Sequence, residues 1–337
     1  MQVQHPVKIT VIGGSGYIGQ RHCEYIGKNS SIAQLVSIVD PSDAATAIAT
    51  RYAVPLYSTI DELLNSTPKP DACIVCTPNH THVPICIKLA QNGIKAILCE
   101  KPISTIVASA RTLIQVASQH NVHLLIGHHR RFSPYAVALK GILSSGILGE
   151  ITALSGLWTA LKPASYFTNP QHNWRASKST GGGVILNNFI HEIDLLQHLF
   201  GPVSRIHAEK GISHRRSQPS NTTEPSPSPS PLEETIALTL RFSPTHPSRH
   251  GGAIIGTFLL SDHLPSPHNF ETATGENPSI PFAPGTDIYR IFGTKGTLSF
   301  PDMTLYTYSN PASDPSNAEE EQEGNWHNKM RIQKIMV

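Results

Sequence analysis

The sequence predicts a two-domain α/β chain: a doubly wound parallel sheet, then an α+β domain with an open-faced, mostly antiparallel sheet. Residues 7–127 alternate short β-branched runs with helical patterns, as the strand–helix–strand units of a parallel sheet do. From about residue 128 the pattern changes to a helix, a strand, a second helix and then a succession of strands. A length of 337 residues suits about two domains. The expected division is 1–127 and 128–337.

In the first domain the strand candidates are "VKITVIG" (7–13), "LVSIVD" (35–40), "DACIVCT" (71–77), "KAILCE" (95–100) and "VHLLIG" (122–127). Each is continuously apolar, as strands covered on both faces are. Thr59 and Glu62 offer a capping box for a short helix, and Ser104 can cap the helix after Pro102. At the first strand-to-helix turn stands "GGSGYIG" (13–19), with Gly14-x-Gly16-x-x-Gly19. Glycines there permit a tight turn and the close approach of a pyrophosphate, and the amides near Ser15, Tyr17 and Ile18 can hold phosphates. The motif alone is weak evidence. Here it follows a strand, opens a helix, and has Asp40 at the end of the next strand, where a carboxylate accepts from adenosine ribose hydroxyls. Dinucleotide binding by a Rossmann domain is therefore expected. Asp40 would repel a 2′-phosphate and no arginine directly follows, so NAD is favoured over NADP.

Two further loops lie at the carboxyl ends of strands, where ligands bind in open α/β sheets. "TPNHTH" (77–82) contributes Thr77, Pro78, Asn79 and His82 as cofactor candidates, although His80 and His82 could equally be polar residues starting a helix. "CEKPIS" (99–104) contributes Glu100 and Lys101, the lysine standing before a proline that stiffens the turn.

The second domain opens with a helix (134–146) and a strand (150–160). The stretch "GGGVILNNFIHEIDLLQHLFG" (181–201) then has the apolar content of a buried helix. It reserves one stripe for Asn187, His191, Asp194 and His198, which a uniform helix places within an arc of about 60°. Solvent faces usually carry lysine and glutamate, so this stripe is a candidate site. Five strands follow: "VSRIHAEKG", "ETIALTLRF", "GAIIGTFLLSD", "DIYRIFG" and "GTLSFP". In "ETIALTLRF" apolar residues alternate with polar or small ones, as in a sheet with one packed and one open face. A Ser/Pro-rich insertion over 213–232 cannot form a core and is expected to be a surface loop. Residues 269–285 form a second long loop placed to cover a site. The tail from 309 is polar and acidic.

Composition narrows the functions. A formal charge of +2 gives no basis for nucleic-acid binding. No apolar run reaches the roughly 18 residues needed to span a bilayer, and no leader is expected, since "MQVQHPVKITVIGG" runs straight into a strand. The five cysteines lie within the first hundred residues, mostly in apolar runs, as reduced core residues of a cytoplasmic protein do. Cys73 and Cys76 form a C-x-x-C, but strand geometry points them to opposite faces, so no metal centre is expected.

Taken together, "GGSGYIG", "TPNHTH", "EKP" (100–102), "GHHRRFSP" (127–134), "WR" (174–175), "GGG…H-x-x-D" (181–194) and "FGTKGTLSF" (292–300) resemble the Gfo/Idh/MocA oxidoreductase family, from about residue 7 to 300. The resemblance implies a nicotinamide-dependent Rossmann domain and an open-faced second domain whose sheet commonly makes homo-oligomer contacts. It implies His191 as general acid/base and Lys101 as its electrostatic and proton-relay partner. Trp174, Arg175, Asn187 and Asp194 are implied substrate contacts. Many sugar and cyclitol dehydrogenases of the family carry aspartate where this chain has Asn187, which can position a hydroxyl but cannot accept a proton. Asp194 is then the nearest candidate to orient the His191 ring. Many relatives also continue past "FGTKGTLSF" with a further segment and a closing helix.

The function implied is an NAD(P)-dependent oxidoreductase acting on a small polyhydroxylated molecule. Two alternatives share these residues: an imine or enone reductase of secondary metabolism, and a dinucleotide-sensing regulator, since the family includes a repressor of galactose genes in yeasts. The position of Asp40 predicts tighter binding of NAD(H) than NADP(H), measurable by fluorescence titration. Replacing Asp40 with Ser and adding Arg nearby should shift the preference, and a tenfold advantage for NADPH in the unmodified protein would refute the assignment.

Overall fold

The structure is a computed structural model that describes residues 5–169, 173–213, 232–243, 253–308 and 329–337. The first sheet contains β1 (Val7–Ile12), β2 (Ala33–Val39), β3 (Leu56–Tyr57), β4 (Ala72–Val75), β5 (Ala96–Cys99) and β6 (His123–Ile126), in the order β3-β2-β1-β4-β5-β6. Every pairing is parallel. Successive strand residues point to opposite faces, and both faces are covered. Val11, Ile38 and Ile74 pack with Cys23 and Ile26 of α1 (Tyr17–Lys28) and Ile48 of α2 (Ala44–Tyr52). Ile12, Val39, Cys73 and Val75 pack with α3 (Ile60–Asn65), α4 (His82–Gln91) and α5 (Val107–Gln119) through Leu63, Leu89 and Leu113. This two-faced burial makes the strands read as unbroken apolar runs. Cys73 and Cys76 fall on opposite faces, and all five cysteines are free thiols.

Local signals were mostly legible. Thr59 accepts from the Glu62 amide at 3.2 Å, and Glu62 reaches back to the amide of Ser58, one residue earlier than a capping box requires. Ser104 is a correction. Its hydroxyl accepts from the Ile106 amide at 3.1 Å in a local turn, and α5 begins only at Val107. The two-residue β3 carries no periodicity from which it could be foreseen.

The second sheet has eight strands in the order β14-β13-β12-β11-β7-β10-β9-β8. They are β7 (Ile151–Thr159), β8 (Val203–Lys210), β9 (Thr235–Phe242), β10 (Ile254–Ser261), β11 (Tyr289–Gly293), β12 (Thr297–Phe300), β13 (Thr304–Tyr308) and β14 (Met330–Lys334). Only β7 and β10 pair in parallel, and the other pairings are antiparallel. In β9, Ile236, Leu238, Leu240 and Phe242 are buried while Ala237, Thr239 and Arg241 are exposed. The packed face meets α6 (Pro134–Ser145) and α8 (Ile190–Phe200) through Leu139, Leu195, Leu196 and Phe200. The strands β13 and β14 flank the acidic tail and were not anticipated. Most of the Ser/Pro-rich insertion (214–231) and most of the tail (309–328) lie outside the described residues.

Two departures bear on the site. One compact unit runs through His128 and also takes in Ser177–Gly182; the other comprises His129–Ala176 and the chain from Gly183 onward. A single cut at 127 therefore misses the strap 177–182. Within that unit the Asn79 side-chain amide donates to the Gly181 carbonyl at 3.4 Å. Second, 181–201 is not one uniform helix. Gly181 and Gly183 hold φ of +86° and +101°, Ile185–Phe189 form a π-helical turn, and α8 starts at Ile190. A π turn advances fewer degrees per residue, so the computed arc does not carry through to Asn187.

At the first turn the tight conformation belongs to Gly13 (φ +85°), while Gly19 is required by packing. A Cβ on Gly19 would stand 2.1 Å from the Gly13 carbonyl oxygen, whereas one on Gly16 would meet that oxygen at an ordinary 3.5 Å. Gly19→Ala should destabilise the protein by about 1–3 kcal/mol and Gly16→Ala by clearly less, as read from urea unfolding. Equal losses would refute this account of the turn.

Candidate active site

In the first unit, α1 opens directly on the glycine turn. Its N-cap, Gly16, makes no side-chain cap and its first turn carries no acidic residue. Helix-start amides and the macrodipole are thus not neutralised by the helix's own side chains, as an anion site requires. Asp40 lies against this turn, its Oδ2 accepting from the Ser15 amide at 2.8 Å and its Oδ1 from the Ser42 amide at 2.9 Å. The carboxylate is fixed, and each oxygen retains a lone pair for a ribose hydroxyl. Tyr17 and Ile18 are exposed on the first helical turn.

The loops after β4 and β5 are tied together by His82. Its ring is 1% exposed, with Nδ1 2.8 Å from the Pro102 carbonyl oxygen and Nε2 2.8 Å from that of Thr77. Burial pushes its pKa down, and the two carbonyls partly offset this. His82 was expected to touch the cofactor. Both ring nitrogens face backbone carbonyls, so the ring braces the two loops. Thr77 accepts from the Thr81 hydroxyl at 2.7 Å, Pro78 caps the turn Asn79–Thr81, and Asn79 is buried against Gly181. Glu100 lies 2.8 Å from His22 Nε2 and accepts from the Lys101 amide at 3.3 Å. Burial raises its pKa, but the His22 hydrogen bond and the His22 and Lys101 charges outweigh this and hold it low. Glu100 thus anchors the backbone from which the Lys101 side chain springs.

In the second unit, buried His191 meets His129 edge to face, their ring centroids 5.1 Å apart. His129 Nε2 lies 3.3 Å from Glu276 Oε2. The adjacent Arg130 is fully buried: it bonds Glu192, lies 2.9 Å from Glu271 and 3.0 Å from Glu276, and covers the Phe270 ring at 4.5 Å. The expected loop 269–285 proves to contain a short helix, α9 (Phe270–Thr274), capped by Asn269, which presents Glu271. Sequence reading missed this cluster. Its one visible signal was Glu192, a charged residue on the apolar side of the stripe-bearing helix. Asp194 is held in a two-point fork by Arg131, and His198 lies 3.4 Å from the Lys140 ammonium. The far end of the stripe thus pairs with the segment 131–140. Arg175 lies over the Tyr166 and Trp174 rings. Among the described residues there is no cluster of three or more His, Cys, Asp or Glu fit to hold a metal.

Burial pushes the Glu192 carboxyl up to about 7, against the opposing Arg130 charge. A carboxyl raised in the folded state contributes stability that is complete below its ordinary value near 4.5 and is lost as pH rises through about 7. Glu276 is held low, as the Arg130 and His129 charges outweigh its burial, so its contribution is lost only on acidification. Glu192→Gln should therefore flatten the fall in unfolding free energy between pH 5 and 7, a fall on the order of 1–3 kcal/mol. An unchanged pH slope in denaturant titrations would contradict the raised value.

Comparisons with known proteins agree with this architecture. The family described as oxidoreductase, NAD-binding Rossmann fold, matches residues 7–128, and the GFO/IDH/MocA C-terminal domain matches 136–299. Inositol 2-dehydrogenase of Rhizobium meliloti (strain 1021) is 31% identical over 196 residues, 57% of this chain and 55% of that protein. The rhizopine catabolism protein MocA of Rhizobium meliloti is 30% identical over 189 residues, 56% of each. The chain thus spans about half the length of these curated relatives. Among solved structures, the WlbA dehydrogenase from Bordetella pertussis, in complex with NADH and UDP-GlcNAcA, superposes with a TM-score of 0.69 at 22% identity, covering 88% of this chain and 74% of that one. A levoglucosan dehydrogenase, in complex with NADH and levoglucosan, gives 0.70 at 19% identity, covering 98% and 80%. These two likenesses establish the fold. With a parallel sheet in the order 3-2-1-4-5-6, a mostly antiparallel second sheet, and both family domains matched in sequence order, the chain belongs to the Gfo/Idh/MocA oxidoreductase family.

Proposed function

We propose that this protein is an NAD-dependent oxidoreductase acting on a secondary alcohol, or the matching ketone, of a small polyhydroxylated molecule such as a sugar or cyclitol. The observation that carries the reading is His191, a buried imidazole set against a second imidazole just after a π turn, in a chain whose other domain is an NAD-binding fold. Such turns are frequent at functional sites. The match to inositol 2-dehydrogenase supports the substrate class.

The first unit fits a dinucleotide on its own geometry: a glycine turn, a helix start without side-chain cap or acid, and a fixed carboxylate at the end of β2. Gly14, Ser15, Gly16, Tyr17, Ile18 and Gly19 would hold the pyrophosphate and Asp40 the adenosine ribose. Thr77, Pro78, Asn79, Glu100 and Lys101 would line the nicotinamide end. Bound there, NAD would supply the hydride acceptor, and NADH the donor. The Asp40 charge opposes a 2′-phosphate, which favours NAD over NADP.

The protein's own task is the proton. As a hydroxyl becomes a carbonyl its proton must leave, and an imidazole accepts it near neutral pH. His191 is assigned that role in the second unit, and Lys101 in the first unit is assigned the cation that stabilises developing negative charge. Asn187 positions a neighbouring hydroxyl and Trp174 and Arg175 contact the substrate, while Asp194, held by Arg131, keeps the helix face in place. The free thiols suit a reducing cytoplasm, and the open face of the eight-stranded sheet suits a homo-oligomer contact.

His191→Ala should keep NADH binding, followed by fluorescence, and lose turnover by about 10²–10⁴ on whichever polyol or ketone of a panel the wild type accepts. Lys101→Ala should behave similarly while also weakening cofactor binding. Turnover by His191→Ala within threefold of wild type would sink the assignment.

A further inference from the structure

The second unit carries two cations that make no ion pair with a carboxylate among the described residues. Past the end of β7 the chain stays registered on the end of β10: the Lys162 amide donates to the Asp262 carbonyl at 3.0 Å, and Leu161 bridges to His263. From this fixed backbone the Lys162 ammonium lies 5.1 Å from the Tyr166 ring centroid and 5.9 Å from that of Trp158. Arg175, on the 3₁₀ turn Asn173–Ala176, approaches the same Tyr166 ring at 4.2 Å and the Trp174 ring at 5.2 Å. Both cations are half-buried. Among the described residues neither has a carboxylate within 4.0 Å nor a side-chain hydrogen bond.

Aromatic faces attract a cation but do not neutralise it. Two like charges on one ring, partly withdrawn from water, form an arrangement that an anion completes. Glu271 attracts Lys162 electrostatically, but it makes no ion pair with it and its Oε1 lies 2.9 Å from Arg130. Burial lowers the Lys162 pKa; Glu271 opposes this, and the Arg175 and Arg130 charges add to it. Ring contacts fix the Arg175 guanidinium while leaving its N–H edge for two parallel bonds to a planar or tetrahedral oxyanion, and Lys162 adds a point charge. Arg130 and its carboxylates join this patch to the element bearing His191, since Arg130 bonds Glu192, the next residue.

We propose that Lys162 and Arg175 form a subsite for an oxyanion group, a carboxylate or a phosphate, on the polyhydroxylated substrate, with Tyr166 and Trp174 as its walls. The natural substrate is then an acidic sugar or cyclitol. This deepens the oxidoreductase reading and rests on it for the identity of the substrate's remainder.

The test is direct binding to the whole 337-residue chain, by calorimetry in the presence of NADH, of D-glucose, D-glucuronate and glucose 6-phosphate. At least one anion should bind tenfold or more tightly than glucose, and which one does separates carboxylate from phosphate. Lys162→Met and Arg175→Met should each reduce that ratio at least fivefold, while the exposed control Lys28→Met leaves it unchanged; melting curves confirm that the variants fold. Equal binding of all three within threefold, no binding of either anion at millimolar concentration, or a preference that survives both substitutions would overturn the proposal. The comparison within the unmodified protein decides the matter even if a variant fails to fold. Binding is read without turnover, so an anion that binds through Lys162 and Arg175 but is never oxidised would defeat the oxidoreductase reading alone.

Discussion

A guanidinium that cannot give up its proton is fully buried at Arg130, and much of the second unit's polar architecture follows from compensating it. Three carboxylates do so from two separate stretches: Glu192 on α8, and Glu271 and Glu276 on and just after α9. Removing one partner of such a buried cluster typically costs about 3–5 kcal/mol, so these stretches are held in register with the turn that bears His129. The consequence for chemistry is rotational. His191 and Glu192 are adjacent on one helix and point roughly 100° apart. Binding Glu192 to Arg130 fixes the turn of α8 and presents His191 to His129.

The first unit is governed by close approach. Gly19 lets α1 press against the Gly13 carbonyl, and Asp40 is pinned to the same turn through the Ser15 amide. A residue read as a cofactor contact is thereby also part of the scaffold that shapes the contact. His82 takes this further, since its two ring nitrogens face backbone carbonyls of two loops and steady the segments bearing Lys101 and Thr77. Glu100, bonded to His22 of α1, ties the same loop to the glycine turn's helix.

The stripe on 187–198 shows how one pattern serves two purposes. His191 faces another imidazole. Asp194 and His198 instead meet Arg131 and Lys140, the pairing expected of a polar seam between packed elements. Periodicity could not separate these uses, because both need polar groups on one helical face. The π turn before Ile190 also changed the phase at Asn187, and no propensity argument foresees where such a turn falls.

What the sequence by itself determined is whatever depends on neighbours in the chain. The unbroken apolar strands from "VKITVIG" onward imposed a sheet covered on both faces. The alternation in "ETIALTLRF" required one packed face, and "GGSGYIG" marked the tight turn between the first strand and α1. Local sterics and period-two burial carry that information within a few residues. Only the tertiary structure decided that Arg130 gathers carboxylates from as far as Glu276, that His82 bridges two loops, that Ser177–Gly182 joins the first unit, and that Lys162 and Arg175 share the Tyr166 ring. Those outcomes depend on which distant groups must be neutralised or desolvated together, and the order of residues along a chain does not encode that energy locally.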